Sequence, residues 1–284
     1  MVIETPGSDR TGRPGPVCRR GHLLIIGGAE DRVHGLGALE RFVGLAGGSS
    51  ARIVLITTAA EMPEQVEADY EQVFRRLGAG KVQPFRLEGR GAADDEHTLA
   101  VLEQASGIFI CGGDQSRIRT IIGSQTNALL SRRLRDEDVV IAGTSAGATA
   151  MGRTMILGGE SPDVSASSVR TGPGLGLLPG VLIDMHFSER GRLPRLLSAI
   201  ALDPGHLGVG IDEDTAILVG QDSFVVLGTG VVSVVDADNA TVAYPAADED
   251  PITLFDVRLH MLPAGCAFEI VRRTPCIGQD HGSR

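Results

Sequence analysis

Asp138-Val-Val-Ile-Ala142-Gly143-Thr144-Ser145-Ala146-Gly147 carries a short apolar run straight into the pattern G-x-S-x-G. A continuous run of this length, bounded by turn residues, reads as a strand buried on both faces. The helix-prone stretch from Ala146 to Met151 follows at once, so the serine stands on a strand-to-helix turn. Such a turn imposes an unusual backbone conformation on the serine and needs small neighbours. It also presents the hydroxyl over a helix N-terminus, where free N–H groups favour developing negative charge. Ser145 is therefore the candidate nucleophile, and a serine at its ordinary pKa needs a base.

The same grammar recurs on the N-terminal side. His22-Leu-Leu-Ile-Ile26 ends in Gly27-Gly28, and Arg52-Ile-Val-Leu-Ile-Thr57 ends in a small polar loop. Gly107-Ile-Phe-Ile-Cys111 runs into Gly112-Gly113-Asp114-Gln115. Lys81 to Leu87 is a weaker strand that Pro84 assigns to an edge. Between these, Pro63 to Leu77 places Val66, Tyr70, Val73, Phe74 and Leu77 at helical spacing. Strands alternating with helices, with Gly-rich loops at strand ends, predict an α/β three-layer sandwich around a mostly parallel central sheet. Thr215 to Leu218, Ser223 to Leu227 and Thr229 to Val235 are β-rich runs split by Gly and Asp turns. They predict C-terminal hairpins appended to that sheet. No repeat or linker interrupts the pattern, so a single domain is expected over residues 21–277. A Gly-, Pro- and Arg-rich leader precedes it at 1–20, and a short tail follows at 278–284.

Composition bounds the chemistry. With 42% hydrophobic residues in 284, the chain can bury a sizeable core, and disorder as a class is excluded. No run approaches the roughly 20 apolar residues of a membrane span. A formal charge of −10 gives no electrostatic footprint for nucleic acid. The leader lacks an apolar signal core, which points to the cytoplasm. Cys18, Cys111, Cys266 and Cys276 show neither CxxC nor zinc-ligand spacing, so no metal or cofactor is expected.

The base must come from seven histidines. His186 stands apart because it ends the apolar run Val181-Leu-Ile-Asp-Met-His186, at the C-terminal edge of a predicted strand. Asp184 flanks it, and Arg190, Arg192 and Arg195 follow within one helical stretch. Guanidinium forks hold carboxylates bidentately, so the cluster reads as an anion-binding pocket. On that reading, Arg192→Ala weakens substrate binding without disturbing the fold. Asp212-Glu213-Asp214 ends a further buried run. It belongs either to the site or to the turn and cap carboxylates common at such positions.

Six motifs in this order, from Gly27-Gly28-Ala29-Glu30-Asp31 to Gly210-Ile-Asp-Glu-Asp-Thr-Ala216, resemble those of the cyanophycinases. The others are Gly112-Gly-Asp-Gln115, Gly143-Thr-Ser-Ala-Gly-Ala148, Gly174-Leu-Gly-Leu-Leu-Pro179 and Asp184-Met-His-Phe-Ser-Glu-Arg-Gly-Arg192. These serine peptidases are related to the aspartyl dipeptidases and have a class I glutamine-amidotransferase-like fold. The resemblance implies hydrolysis of cyanophycin, a poly-aspartate with arginine on each side chain, to β-Asp-Arg dipeptides. It implies Ser145 as nucleophile, His186 as general base and acid, and the N–H groups of Gly113 and Ala146 as oxyanion hole. Gln115, Asp184, Arg190, Arg192 and Arg195 match its pocket-lining positions. For the triad acid it points just past Gly158-Gly159, to Glu160 with Asp163 as the alternative. Acidic groups such as Asp184 or Glu30 are candidates for the substrate guanidinium, although Asp184 equally suits orienting His186. Met185 stands where the family usually has glutamine, which bears on fine substrate preference. A homodimer is implied by the family alone.

Other classes fit less well. A lipase or esterase would draw its acid and histidine from much later in the chain, where the tail after Val235 offers only His260 and His281. A dinucleotide site fails because Gly174-Leu-Gly precedes a strand instead of following one. A small aspartyl-dipeptide hydrolase would not need three clustered arginines. A non-catalytic relative would be expected to lack the nucleophile or the base.

Overall fold

Alternation along the strands of the central sheet sends their side chains into two separate cores. In the computed structural model, which describes residues 19–34, 37–159 and 162–277, Leu24 and Ile26 face one core and Leu23 and Ile25 the other. The expected leader and tail therefore lie almost wholly outside the described residues.

The parallel half of the sheet contains β1 (His22–Ile26), β2 (Arg52–Ile56), β3 (Lys81–Phe85), β4 (Gly107–Ile110) and β5 (Val140–Thr144). Their spatial order is β1-β5-β4-β2-β3, with every pair parallel. Lys81–Phe85 is the edge strand, as Pro84 requires. Helices α1 (Gly37–Leu45) and α2 (Pro63–Arg76) cover one face through Leu39, Phe42, Val43, Tyr70, Val73 and Phe74. Pro63 opens α2 and Arg75 and Arg76 close it, in accord with the helix dipole. On the opposite face Leu102 and Leu130 pack into the second core. They come from the helices Glu96–Gln104 and Gln125–Asp136, which are capped by Asp95 and Ser124.

The C-terminal third differs from the expectation in one respect. Thr215–Val219 and Ser223–Gly228 do form a hairpin on the sheet, antiparallel to β1, and Ala267–Glu269 and Thr274–Cys276 extend it to nine strands. The next run, Val231–Asp236, instead joins a second sheet of order Arg258–Pro263, Val231–Asp236, Leu207–Ile211, Val181–Met185. That sheet lies on one face of the first, sharing Ile183, Val209, Val232 and Val234 with its core. Its outer face is covered by Leu196, Ala199 and Ile200 of the helix Leu193–Leu202. β-propensity marks a strand but not the sheet it joins. Among the described residues, no helix is long and apolar enough to cross a membrane.

Candidate active site

Ser145 follows directly on β5 and adopts φ 51°, ψ −114°, before the short helix Ala146–Thr149 begins. The turn is this tight because the helix starts against the end of β4. A Cβ on Gly147 would lie 2.2 Å from the Ile110 carbonyl oxygen, so only glycine fits. The Ser145 amide donates to Ile26 O at 3.1 Å, tying this residue to the end of β1. The loop after β4 closes over the serine, since a Cβ on Gly112 would come within 2.9 Å of Ser145 Cβ.

His186 follows the strand Val181–Met185 with φ 49°, and its amide donates to Gly27 O at 2.9 Å. Its Nε2 lies 2.9 Å from Ser145 Oγ. The imidazole is seated on the bare Cα of Gly28, where a Cβ would approach His186 Cε1 to 2.4 Å. Nδ1 lies 2.6 Å from Glu213 Oε1. A carboxylate only accepts hydrogen bonds, so Nδ1 carries the proton and Nε2 presents its lone pair to the serine hydroxyl.

The carboxylate against the imidazole is Glu213, whereas the family resemblance pointed to Glu160 with Asp163 as the alternative. Its two neighbours are turn carboxylates. Asp212 accepts from the amides of Ser188 and Val231, each at 3.0 Å, and Asp214 accepts from the Asp31 amide at 3.0 Å. Only the middle residue of the three reaches the imidazole. Of the acids expected from the family resemblance, Glu160 lies outside the described residues. The Asp163 backbone carbonyl accepts from Ser168 Oγ at 2.8 Å, and the Nδ1 contact belongs to Glu213. The signal available in the sequence was that Asp212-Glu213-Asp214 ends an apolar run, as His186 does. The structure pairs Leu207–Ile211 in parallel with Val181–Met185, which brings the residues just past both ends to one edge of that sheet.

The arginine cluster also differs from expectation. Asp184 is fully buried, and its carboxylate accepts from Arg195 Nε at 2.9 Å, from Arg195 Nη2 and from the Met185 amide. Arg192 Nη1 lies 3.6 Å from the same carboxylate and donates to Met185 O. Arg195 Nη1 donates to Gly159 O at 3.2 Å. Asp184 therefore neither contacts His186 nor presents an open acceptor to a guanidinium. Arg192 and Arg195, both buried, face inward. The expected three-arginine clamp contracts to Arg190, which is exposed next to the site. Gln115 is half-buried and its Nε2 donates to Leu157 O at 3.0 Å.

Asp184, Arg192 and Arg195 thus make buried contacts within the protein, and for Arg192→Ala the expectation becomes a loss of stability. For Asp184→Ala we expect a loss of about 3–5 kcal/mol, because two buried guanidinium groups lose their counter-charge. Urea denaturation with the activity of the folded fraction measures it. An unchanged midpoint with a raised KM would return Asp184 to substrate binding.

A model of the family described as peptidase family S51 matches residues 23–227. A cyanophycinase of Trichormus variabilis is 39% identical over 265 residues, covering 91% of this chain and 89% of that protein. A cyanophycinase of Geminocystis herdmanii is 38% identical over 267 residues, covering 91% and 97% respectively. Among solved structures, a peptidase from an acI-B1 actinobacterium superposes with a TM-score of 0.65 at 21% identity, over 89% of this chain and 98% of that one. That likeness bears on the fold alone. The family match runs from β1 through the first hairpin strands and the cyanophycinases align along most of their length, so the chain belongs to peptidase family S51.

Proposed function

We propose that the protein is a serine exopeptidase that cleaves cyanophycin to β-Asp-Arg dipeptides through an acyl-enzyme. The observation that carries this reading is the continuous chain of contacts Ser145 Oγ–His186 Nε2–Glu213, at 2.9 and 2.6 Å. Ser145 Oγ attacks the backbone carbonyl carbon of the polymer while His186 Nε2 takes its proton. Glu213 holds the imidazole in the required tautomer and stabilises the imidazolium that forms. His186 then returns the proton to the departing amine, which leaves the acyl-enzyme. Water deacylates Ser145 by the same route in reverse. The N–H groups of Gly113 and Ala146 are assigned to the oxyanion, one from the loop lying over Ser145 and the other from the residue that follows it.

Substrate recognition rests on the 38–39% identical cyanophycinases and on what the site leaves open. Arg190 is the exposed guanidinium beside His186, suited to a substrate carboxylate. Glu189 is exposed next to it; its Oε1 accepts from the Glu213 amide at 3.2 Å, and its second oxygen is offered to the substrate's guanidinium. Glu30 and Asp184, the earlier candidates, already bind groups of the protein itself. The proposal includes a cytoplasmic homodimer with no nucleic-acid or membrane partner, as the sequence reading and the family resemblance imply.

Incubating the purified protein with insoluble cyanophycin, soluble β-Asp-Arg oligomers and α-Asp dipeptides tests the assignment. We expect β-Asp-Arg to be released from the first two by mass spectrometry. Turnover of α-Asp dipeptides alone would instead make the protein a small aspartyl-dipeptide hydrolase.

A further inference from the structure

Beneath the nucleophile lies a carboxylate that the proposed chemistry does not use. Glu30 is 5% exposed, and its Oε2 accepts from Thr144 Oγ1 at 2.6 Å. Its Oε1 accepts from the Tyr70 hydroxyl, and Arg32 Nη2 lies 3.6 Å from the same oxygen. Arg32 also stacks over the Tyr70 ring, 4.3 Å from its centroid. Burial, and then the Glu30 charge, push the Tyr70 hydroxyl well above the usual phenol range. It therefore stays protonated and donates to Glu30.

The position of Glu30 in the chain gives this arrangement a purpose. Thr144 is the residue before the nucleophile. Glu30 belongs to the loop Gly27–Asp31, which carries the other half of the site. Gly27 O accepts the His186 amide, Gly28 forms the seat of the imidazole, and Gly28 O accepts the Asp214 amide at 3.0 Å, next to Glu213. Thr144 Oγ1–Glu30 is thus a side-chain link between the segment bearing Ser145 and the loop that holds His186. A buried carboxylate is poor value as a stabilising device, because its desolvation offsets most of what it gains. As a geometric link it is effective, since a charge-assisted hydrogen bond in a low dielectric is short and directional.

We propose that Glu30 is a positioning residue that sets the Ser145–His186 separation through Thr144. The proposal rests on Ser145 acting as the nucleophile. Thr144→Val keeps the side-chain shape and removes the link, while Thr144→Ser keeps the hydroxyl. A displacement of the order of 1 Å in a reacting pair costs about a hundredfold in rate. We expect Thr144→Val to lower kcat by about 10–100-fold with KM held within about twofold, and Thr144→Ser to stay close to wild type.

The readout independent of substrate is the rate of labelling by a fluorophosphonate probe, with Ser145→Ala as the blank. Thr144→Val should be labelled slowly at full occupancy of the folded state, and Thr144→Ser at the wild-type rate. Glu30→Gln, the second variant should Thr144→Val fold poorly, should be slowed in the same sense. Folded Thr144→Val or Glu30→Gln labelled as fast as wild type overturns the proposal. A wild-type protein that resists the probe overturns the nucleophile assignment instead.

Discussion

Ser145→Ala is expected to lower kcat for β-Asp-Arg release by about 10⁵–10⁶-fold while leaving the melting temperature within a degree or two of wild type. The first half follows from chemistry. Removing Oγ removes the hydroxyl held 2.9 Å from His186 Nε2. What remains is the catalysis of the oxyanion donors and of binding, about 10³–10⁴ over water. The second half follows from backbone sterics. Alanine has the same Cβ as serine, so the φ of 51° is no harder to hold, and the amide bond to Ile26 O is kept. Mass-spectrometric dipeptide release, paired with a thermal melt, reads both. Activity above about one part in a thousand, with the melt unchanged, would mean that another group attacks the substrate.

The second large effect is expected at Glu213. Glutamine there preserves shape and still reaches Nδ1, but its NH₂ can donate where the carboxylate could only accept. Once Nδ1 becomes the acceptor, the ring proton moves to Nε2, which can no longer take the proton of Ser145. This wrong-tautomer state costs about 10⁴-fold in kcat where it has been measured. We expect a loss of that size for Glu213→Gln with KM little altered. Asp163→Asn and Glu160→Gln should each stay within about threefold of wild type. A collapse of kcat in either of those two, with Glu213→Gln active, would move the acid back to the segment after Gly159.

Much of the scaffold was legible because burial on two faces leaves a plain mark. His22–Ile26, Arg52–Ile56, Gly107–Ile110 and Val140–Thr144 are continuous apolar runs, each ending in a loop of small or polar residues, and all four sit in the parallel sheet. Ser145 and His186 were legible for the same reason, since each stands at the end of such a run. The rest depended on pairings that local pattern does not carry. A carboxylate after a strand looks alike whether it holds a backbone amide, as Asp212 does, or an imidazole, as Glu213 does. Arg195 and Asp184 are eleven residues apart and meet only because a helix folds back over the strand. Glu30 and Thr144 lie 114 positions apart and share one hydrogen bond. Three clustered arginines suggested an anion-binding pocket, and the structure turns two of them inward.

The φ angles at the site have a consequence beyond catalysis. Ser145 at 51°, His186 at 49°, Asp214 at 47° and Ala29 at 46° are side-chain-bearing residues in a region that suits glycine, and all four lie on the loops that meet here. Each such residue costs about 1–3 kcal/mol that the surrounding sheets must hold against. The loops of the site therefore hold four of the strained backbone positions, supported by some of the most deeply buried strands. Selection for thermal endurance alone would erode them, because glycine at Ser145 or His186 relieves the backbone and discards a side chain of the site. Variants evolved for heat tolerance should accordingly collect their gains in the outer sheet and helices, with Ser145 and His186 left in place whenever activity is kept under selection.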